Sequence, residues 1–318
     1  MLHSDKVRVA AVLVGLLLAA ALLRYADAAG LMGALSARLA RHLPDHRPTP
    51  SSARLSTPRV PTPSPDVMVP AGQPLDGWVL KFDDEFNGTS LDTSRWATCF
   101  PWAAQPDACG TTSAPKTWYL SSNIKEQNGE LDITAQRGPY TAPDGHTYGY
   151  TSGVVTTCGY HGSSYPRETW QYGYFEARML LTRGQGLWPN FWALPANGTW
   201  PPELDIMEAL SKDPSTVYRN YHWGTPKQNY QASVSYTGPD FSASWHTFAA
   251  SWEPTAIHWY VDGGELGSAF TQSADITNLD MCVLLQLDVG GSWGGDPDST
   301  TPWPSTLKVD YVRVWQRP

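Results

Sequence analysis

Short apolar runs separated by turn residues fill the chain from residue 76 to its end, and this pattern most constrains the fold. The runs are W-V-L-K-F at residues 78–82, E-L-D-I-T at 130–134, Y-G-Y-F-E-A-R at 172–178, H-T-F-A-A-S-W at 246–252, A-I-H-W-Y-V at 256–261 and L-K-V-D-Y-V-R-V-W at 307–315. The pairs Asn128–Gly129 and Asp262–Gly263 are strong hairpin signals, because these residue types tolerate positive φ. Almost no segment keeps helical apolar spacing for about ten residues. The sequence therefore predicts an all-β fold, an antiparallel sandwich or barrel, and disfavours a parallel α/β architecture.

Tryptophan marks where the folded part begins. All 15 Trp residues lie between Trp78 and Trp315, and the first 75 residues contain none. We therefore predict a folded domain over residues 76–318, which is long enough for a large core. Before it, Pro recurs among Ser and Thr over residues 44–75. Such a segment buries too little apolar surface to fold, so residues 29–75 are predicted to be a largely disordered linker.

The N-terminus has the pattern of an export signal. Lys6 and Arg8 precede an apolar run at residues 9–23, and Ala26 and Ala28 then form an A-x-A site. A positive region, a hydrophobic segment and a small-residue site are typical of a secretory signal peptide. Residues 1–28 are therefore predicted to direct secretion. The alternative is an uncleaved membrane anchor formed by residues 9–23, with the domain outside.

Cysteine content agrees with export. Cys99, Cys109, Cys158 and Cys282 all fall in the Trp-bearing part. An exported chain can form disulfides, and four cysteines allow three pairings. We predict that Cys99 pairs with Cys109 and closes a Pro-rich loop. Zinc is disfavoured because no pair has C-x-x-C spacing.

Net charge excludes some partners. Residues 1–75 hold 8 of the 22 Lys and Arg residues and 4 of the 30 Asp and Glu residues, so the remainder carries a net charge of −12. Nucleic acid and densely sulfated polymers are therefore not expected as partners.

Three acids lie among apolar residues in the stretch W-P-P-E-L-D-I-M-E-A-L at residues 200–210. In a strand, Glu203 and Asp205 share a face, but Glu208 has the wrong parity. In a helix, Asp205 and Glu208 become i,i+3 neighbours and Glu203 points elsewhere. The local pattern leaves both structures open.

Glycosidic bond cleavage gives such acids a chemical use, because it needs two carboxyl groups on either side of the bond. A regular strand would require the pattern E-x-D-x-E, whereas Ile206 and Met207 stand here where one residue should. A β-bulge absorbs one extra residue and restores the parity of everything after it. A bulge at Ile206–Met207 would place all three acids on one face and Leu204 in the core.

The wider sequence resembles glycoside hydrolase family 16. The resemblance is carried by G-L-W-P-N-F-W-A-L-P at 186–195 with the acid stretch, F-D-D-E-F-N-G at 82–88 with Trp96, Y-G-Y-F-E-A-R at 172–178, H-T-F at 246–248 with Trp252, Y-V-D-G at 260–263 and V-D-Y-V-R-V-W at 309–315. These motifs cover essentially all of residues 76–318 in order. The resemblance implies a jelly-roll β-sandwich of two antiparallel sheets, a concave cleft for an extended polysaccharide, and retaining, endo-acting hydrolysis.

The resemblance also implies roles for individual residues. Glu203 would be the nucleophile, Glu208 the general acid/base, and Asp205 the carboxylate that orients and tunes the nucleophile. The residues expected to bind substrate are Trp188, Trp192, His222, Trp293, Asn190 and Gln286. For His222 a plain core or surface role is the alternative. Asp310 matches an aspartate that binds a structural calcium in many members, and catalysis itself would need no cofactor.

The bulged form narrows the substrate class. It resembles laminarinases and galactan hydrolases rather than lichenases, and the acid stretch also looks like that of bacterial exopolysaccharide glycanases. The run Ser152-Gly-Val-Val155 lacks the basic residue that laminarinase-like members often have there. The prediction is a secreted, monomeric hydrolase of β-1,3- or mixed β-1,3/1,4-linked glucan. The alternatives are an exopolysaccharide glycanase or transglycosylase with the same catalytic residues, and a non-catalytic glucan-binding module.

Overall fold

The computed structural model describes residues 77–103, 109, 116–159 and 167–318. The predicted signal peptide or anchor at residues 1–28 and the predicted linker at residues 29–75 lie outside the described residues. Among the residues that are described, there is no helix with the length and apolar character needed to cross a membrane.

Two β-sheets account for the strands of the described residues. The ten-stranded sheet contains β1 (Val79–Asp84), β2 (Thr117–Tyr119), β3 (Ile124–Gln127), β4 (Glu130–Thr141), β5 (Thr147–Ser152), β7 (Gly173–Leu180), β12 (His246–Trp252), β13 (Ile257–Val261), β14 (Gly264–Glu265) and β16 (Ser305–Gln316). The six-stranded sheet contains β6 (Val154–Thr156), β8 (Leu187–Pro195), β9 (Glu203–Ala209), β10 (Thr216–Thr225), β11 (Gln228–Thr237) and β15 (Met281–Val289). Two short 3-10 helices, Ser121–Asn123 and Ser273–Asp275, complete the regular structure of this part of the chain.

The strand order brings distant parts of the chain together. The larger sheet runs β14-β13-β12-β7-β16-β4-β5-β2, with β1 also paired to β16 and β3 to β4, and the smaller sheet runs β11-β10-β9-β8-β15-β6. The predicted jelly-roll sandwich is confirmed, with one correction. The strands β2 and β5 pair in parallel, because β3 and β4 lie between them in sequence and supply the long connection that a parallel pair requires.

The main core lies between the two sheets. Leu204 and Phe191 from the smaller sheet pack in one buried cluster with Phe175, Ala177 and Val314 from the larger sheet. Side chains alternate along each strand, so the residues between these point to the outer faces. The outer face of the six-stranded sheet therefore carries Trp192 and Asp205, the neighbours of Phe191 and Leu204.

A second buried cluster covers part of that outer face. It contains Trp192 and Leu284 together with all four cysteines. The predicted Cys99–Cys109 disulfide is confirmed, and Cys158 pairs with Cys282 across 124 residues. We call this group the disulfide cluster. It joins the loop that begins at Cys99 to the β15 side of the six-stranded sheet.

Candidate active site

The predicted bulge is present in β9. Along β8, Trp192 lies opposite Asp205 and the next residue back, Phe191, lies opposite Met207, so Ile206 is the extra residue. Ile206 and Met207 are both in the core. Two consecutive inward side chains reverse the parity of the strand after them. The bulge prediction, including Leu204 in the core, is confirmed, and the helix alternative is excluded.

The other sheet contacts the bulge directly. The indole N–H of Trp259, on β13, donates a hydrogen bond of 2.9 Å to the carbonyl oxygen of Asp205. Trp259 is 2% exposed, and a buried carbonyl without a partner would cost free energy. The backbone of β9 at the acids is therefore hydrogen-bonded to a buried side chain of the core.

Glu208 accepts hydrogen bonds from both neighbouring strands. The indole N–H of Trp188, on β8, donates to Oε1 of Glu208 at 3.2 Å. The amide of Asn220, on β10, donates to Oε2 of Glu208, and the carbonyl oxygen of Asn220 accepts from Gln231 at 3.2 Å. Both oxygens of Glu208 are thus positioned by donors.

Glu203, Asp205 and Glu208 form a row that we call the acid row, and Glu203 lies at the end opposite Glu208. Its Oε2 accepts a 3.0 Å hydrogen bond from the indole N–H of Trp200. Nε2 of His222 lies 3.8 Å from Oε1 of Glu203 and 3.6 Å from Oδ2 of Asp205. His222, predicted to line the cleft, therefore stands between the two acids. Burial lowers the pKa of His222, which favours the neutral imidazole.

The three acids hold protons more tightly than free carboxyls do. Burial raises the pKa of Glu203 to about 7. Burial, with the nearby charge of Glu203, raises the pKa of Glu208 to about 8. Burial and the charges of Glu208 and Glu203 raise the pKa of Asp205 well above its usual value. Carboxyls whose pKa values are raised in this way can hold a proton near neutral pH, as a general acid must, while a neighbouring carboxyl ionises.

Aromatic rings flank the acids at both ends. Beyond Glu208, the ring of Trp293 meets the ring of Trp188 at 5.0 Å and the ring of Tyr218 at 4.9 Å, both edge-on. Beyond Glu203, the Trp200 ring lies 6.1 Å from the ring of His222. Trp293 and Trp200 are 38% and 43% exposed. One partly exposed indole thus lies at each end of the group of buried carboxyls.

The other predicted binding residues lie on the same face but are more enclosed. Trp192 is 8% exposed, and its indole N–H donates to Gln286 at 3.2 Å. Gln286 in turn donates to Asp288 at 3.0 Å. Asn190 lies opposite Glu208 in the register, is 4% exposed, and its carbonyl oxygen has no hydrogen-bond partner. Their contact with a substrate stays a prediction.

Sequence reasoning assigned no role to four residues that the structure places at the site: Trp200, Asn220, Tyr218 and Asp288. A period-2 reading of β10 would have found Tyr218 and Asn220, because both share the parity of His222. The same reading of β15 places Asp288 with Gln286. No local pattern shows that the indole of Trp200 turns back to Glu203.

A metal ion could be held at one group of the described residues. Glu203, Asp205 and His222 each offer one ligand atom, and these atoms lie within 4.8 Å of one another. Two carboxylates and an imidazole are zinc ligands, but the same oxygens form the acid row, so a metal would compete with any reaction of these acids.

Asp310, the predicted calcium ligand, lies elsewhere. Its Oδ2 accepts a 2.7 Å hydrogen bond from the guanidinium of Arg178, which offsets the carboxylate charge that would attract a cation. Asp310 does not belong to any cluster of three acidic or imidazole ligands in the described ranges. A calcium site at Asp310 would also use backbone carbonyl oxygens, and it stays a prediction.

Comparison with known proteins gives a consistent result. Residues 112–313 match the family model of glycosyl hydrolases family 16. The chain is 32% identical over 256 residues to endo-1,3-1,4-beta-glycanase ExsH of Rhizobium meliloti (strain 1021), covering 76% of this chain and 53% of that protein. It is 30% identical over 269 residues to a glucan endo-1,3-beta-glucosidase of Cryptopygus antarcticus, covering 75% of this chain and 92% of that protein.

A solved structure has the same fold. The endo-beta-1,3-glucanase of Pyrococcus furiosus is 31% identical, with a TM-score of 0.68, covering 79% of this chain and 99% of that one. The chain spans about half the length of the first curated relatives that it matches.

Proposed function

The chain belongs to family 16 of the glycosyl hydrolases, and from this membership we propose that it is an endo-acting, retaining hydrolase of β-1,3- or mixed β-1,3/1,4-linked glucan. The observation that carries the proposal is the bulge, which lines up Glu203, Asp205 and Glu208 on one face between exposed indole rings. The activities of ExsH and of the Cryptopygus and Pyrococcus enzymes support this substrate class.

The proposed reaction has two half-reactions. Glu208, whose pKa is raised to about 8, protonates the leaving glycosidic oxygen. The carboxylate of Glu203 attacks the anomeric carbon, so that the bond to the leaving group breaks and a glycosyl-enzyme ester forms. Glu208, now ionised, takes a proton from water, which attacks the same carbon and releases Glu203. The protein supplies both the nucleophile and the proton, so no cofactor is required.

Asp205 and the aromatic rings complete the proposed site. Asp205 lies between the two glutamates, where like charges raise one another's pKa and keep a proton within the group. The indoles of Trp200 and Trp293 offer flat apolar surfaces for pyranose rings, and Trp188 does so next to Glu208. Asn190 and Gln286 are proposed to hydrogen-bond sugar hydroxyls.

The test compares the wild-type domain with Glu203→Gln and Glu208→Gln on laminarin, lichenan, curdlan, agarose and bacterial exopolysaccharides. Each substitution should lower the release of reducing ends by at least about a thousandfold while binding persists. Glu265→Gln, at an exposed acid paired with His258, is the control and should retain activity. Near-normal turnover of Glu203→Gln or Glu208→Gln would contradict the assignment.

Product analysis separates the alternatives. Mass spectrometry identifies the linkage cut, and NMR of the first product shows whether the anomeric configuration is retained. Products longer than the substrate would favour a transglycosylase, and cleavage of exopolysaccharide alone would favour an exopolysaccharide glycanase. Binding without cleavage would favour a glucan-binding module, although the presence of all three acids argues against it.

We also propose that the protein is secreted and acts on its polysaccharide as a monomer. Two disulfides support secretion, because such bonds persist in oxidising compartments. The alternative is attachment by residues 9–23 with the domain outside. Fractionation of expressing cells distinguishes them, since an anchored protein would stay with the membrane fraction.

A further inference from the structure

A half-exposed tryptophan lies in the loop that the Cys99–Cys109 disulfide closes. Trp102 is 48% exposed, although Phe100 and Ala103 beside it are buried. The Trp102 and Phe100 rings are parallel, with 3° between their planes and 4.6 Å between their centroids. Phe100 is supported edge-on by Tyr119 at 4.8 Å. One face of the Trp102 indole therefore packs on a buried ring, and about half of the residue is accessible to solvent.

Phe100 and Ala103 cover part of the sheet face that carries the acids. Phe100 belongs to the disulfide cluster with Trp192 and Leu284. Trp192 lies opposite Asp205, and Leu284 lies opposite Trp192. Neighbouring strands are about 4.8 Å apart, so Leu284 lies roughly 10 Å from Asp205 across the sheet. Phe100, on which Trp102 packs, thus lies beside the three acids, on their β15 side.

Burial differs on the two sides of the acids. Toward β15 and β6, Leu284 and Val154 are 0% exposed because the disulfide cluster covers them. Toward β11, Gln231 and Ser233 are exposed. A polymer that extends from the acids toward β15 would meet the disulfide cluster where the sheet itself is covered, and Trp102 offers an exposed aromatic surface there. The loop also lies outside residues 112–313, which match the family model.

We infer that Trp102 is a sugar-stacking platform that extends the polysaccharide site beyond the acids and favours long substrates. The inference rests on the proposed function and adds a subsite to it. The face of an indole carries negative charge density and attracts the C–H groups of a pyranose face. The disulfide and the Phe100 ring hold the platform in place, so little conformational entropy is lost on binding.

The test measures kcat/KM of Trp102→Ala and the wild type on β-glucan oligosaccharides from trisaccharide to octasaccharide and on the polymer. Trp102→Ala should lose about three- to tenfold on the longest substrates and nothing on the shortest. Trp102→Phe keeps a flat ring and should recover most of the loss. Tyr230→Ala is the matched control, because Tyr230 is 45% exposed but lies on the other face of β11 from Gln231. It should behave as wild type at every length.

Two results would overturn the inference while leaving the proposed function intact: no loss at any length, or the same loss at all lengths. If the wild type cleaves none of the substrates, the proposed function fails, and the platform is then tested by electrophoresis through gels containing laminarin or lichenan. Retardation that Trp102→Ala weakens and Tyr230→Ala does not would support the platform. Equal migration of wild type and Trp102→Ala would refute it.

Discussion

Hydrogen bonds lower the pKa values of two glutamates that burial raises. Both are raised in pKa mainly by burial, and each accepts an indole N–H that favours its ionised form, Trp200 for Glu203 and Trp188 for Glu208. Removing either donor should raise the pKa of its own partner. The site therefore offers a matched pair of substitutions that act on different carboxyls.

In the proposed mechanism Glu203 must be ionised and Glu208 protonated, so the pH profile of kcat/KM should be bell-shaped. With pKa values raised to about 7 and about 8, activity should fall below pH about 7 as Glu203 gains a proton and above pH about 8 as Glu208 loses one. Trp200→Phe should move the acidic limb up by roughly one pH unit, and Trp188→Phe should move the alkaline limb up by a similar amount.

The assignment of roles depends on which limb each variant moves. A shift of the alkaline limb in Trp200→Phe, or of the acidic limb in Trp188→Phe, would reverse the roles of Glu203 and Glu208. Unchanged limbs in both variants would mean that neither indole tunes its carboxyl.

At the scale of the element, the bulge is what places the three acids of β9 on one face. Without it, Glu208 would point into the core, where an unpaired carboxylate is costly. With it, Ile206 and Met207 both add to the core and Glu208 joins the other acids. The Trp259 hydrogen bond to the Asp205 carbonyl crosses from one sheet to the other, so the packing of the sandwich and the position of the acids are connected.

Trp259→Phe should therefore lower kcat by about tenfold or more, because a loosened bulge misplaces the carboxyls. It should also lower the free energy of unfolding by about 1 kcal/mol for the lost hydrogen bond. Trp252→Phe is the control, since Trp252 is equally buried and its indole donates to the Thr277 carbonyl, away from the bulge. Comparable destabilisation with nearly unchanged kcat is expected for Trp252→Phe. If both variants lose kcat equally, the effect belongs to general stability and not to the bulge.

At the scale of the whole molecule, the two disulfides differ in the sequence separation of the cysteines that they join. Cys158, which follows β6, pairs with Cys282 in β15 at a sequence separation of 124 residues. The sequence separation of Cys99 and Cys109 is 10 residues. Both lie in the disulfide cluster. In the chain-entropy description, a bond that closes a longer loop restricts the unfolded chain more.

Replacing Cys158 and Cys282 by Ser should therefore destabilise the protein more than replacing Cys99 and Cys109. The expected losses are about 5 and about 3 kcal/mol, measured by denaturant unfolding under oxidising conditions. The shorter bond should matter more for long substrates, because it holds the Trp102 loop. Equal destabilisation by the two double substitutions would show that packing in the cluster, rather than loop length, sets their contribution.

The sequence by itself indicated the all-β class through its short apolar runs and turn residues, and it made Cys99–Cys109 the expected pair among three. The local pattern left strand and helix open for the three acids, and the resemblance of the wider motifs to family 16 favoured the bulged strand. The tertiary structure decided which distant residues complete the site: Asn220 and Trp188 on Glu208, Trp259 beneath the bulge, and Cys282 as the partner of Cys158. It also decided that Trp192 is largely enclosed while Trp102 is open. Burial, hydrogen-bond partners and the pKa values that follow from them arise from strands that meet only when the sandwich closes, so no local pattern could reveal them.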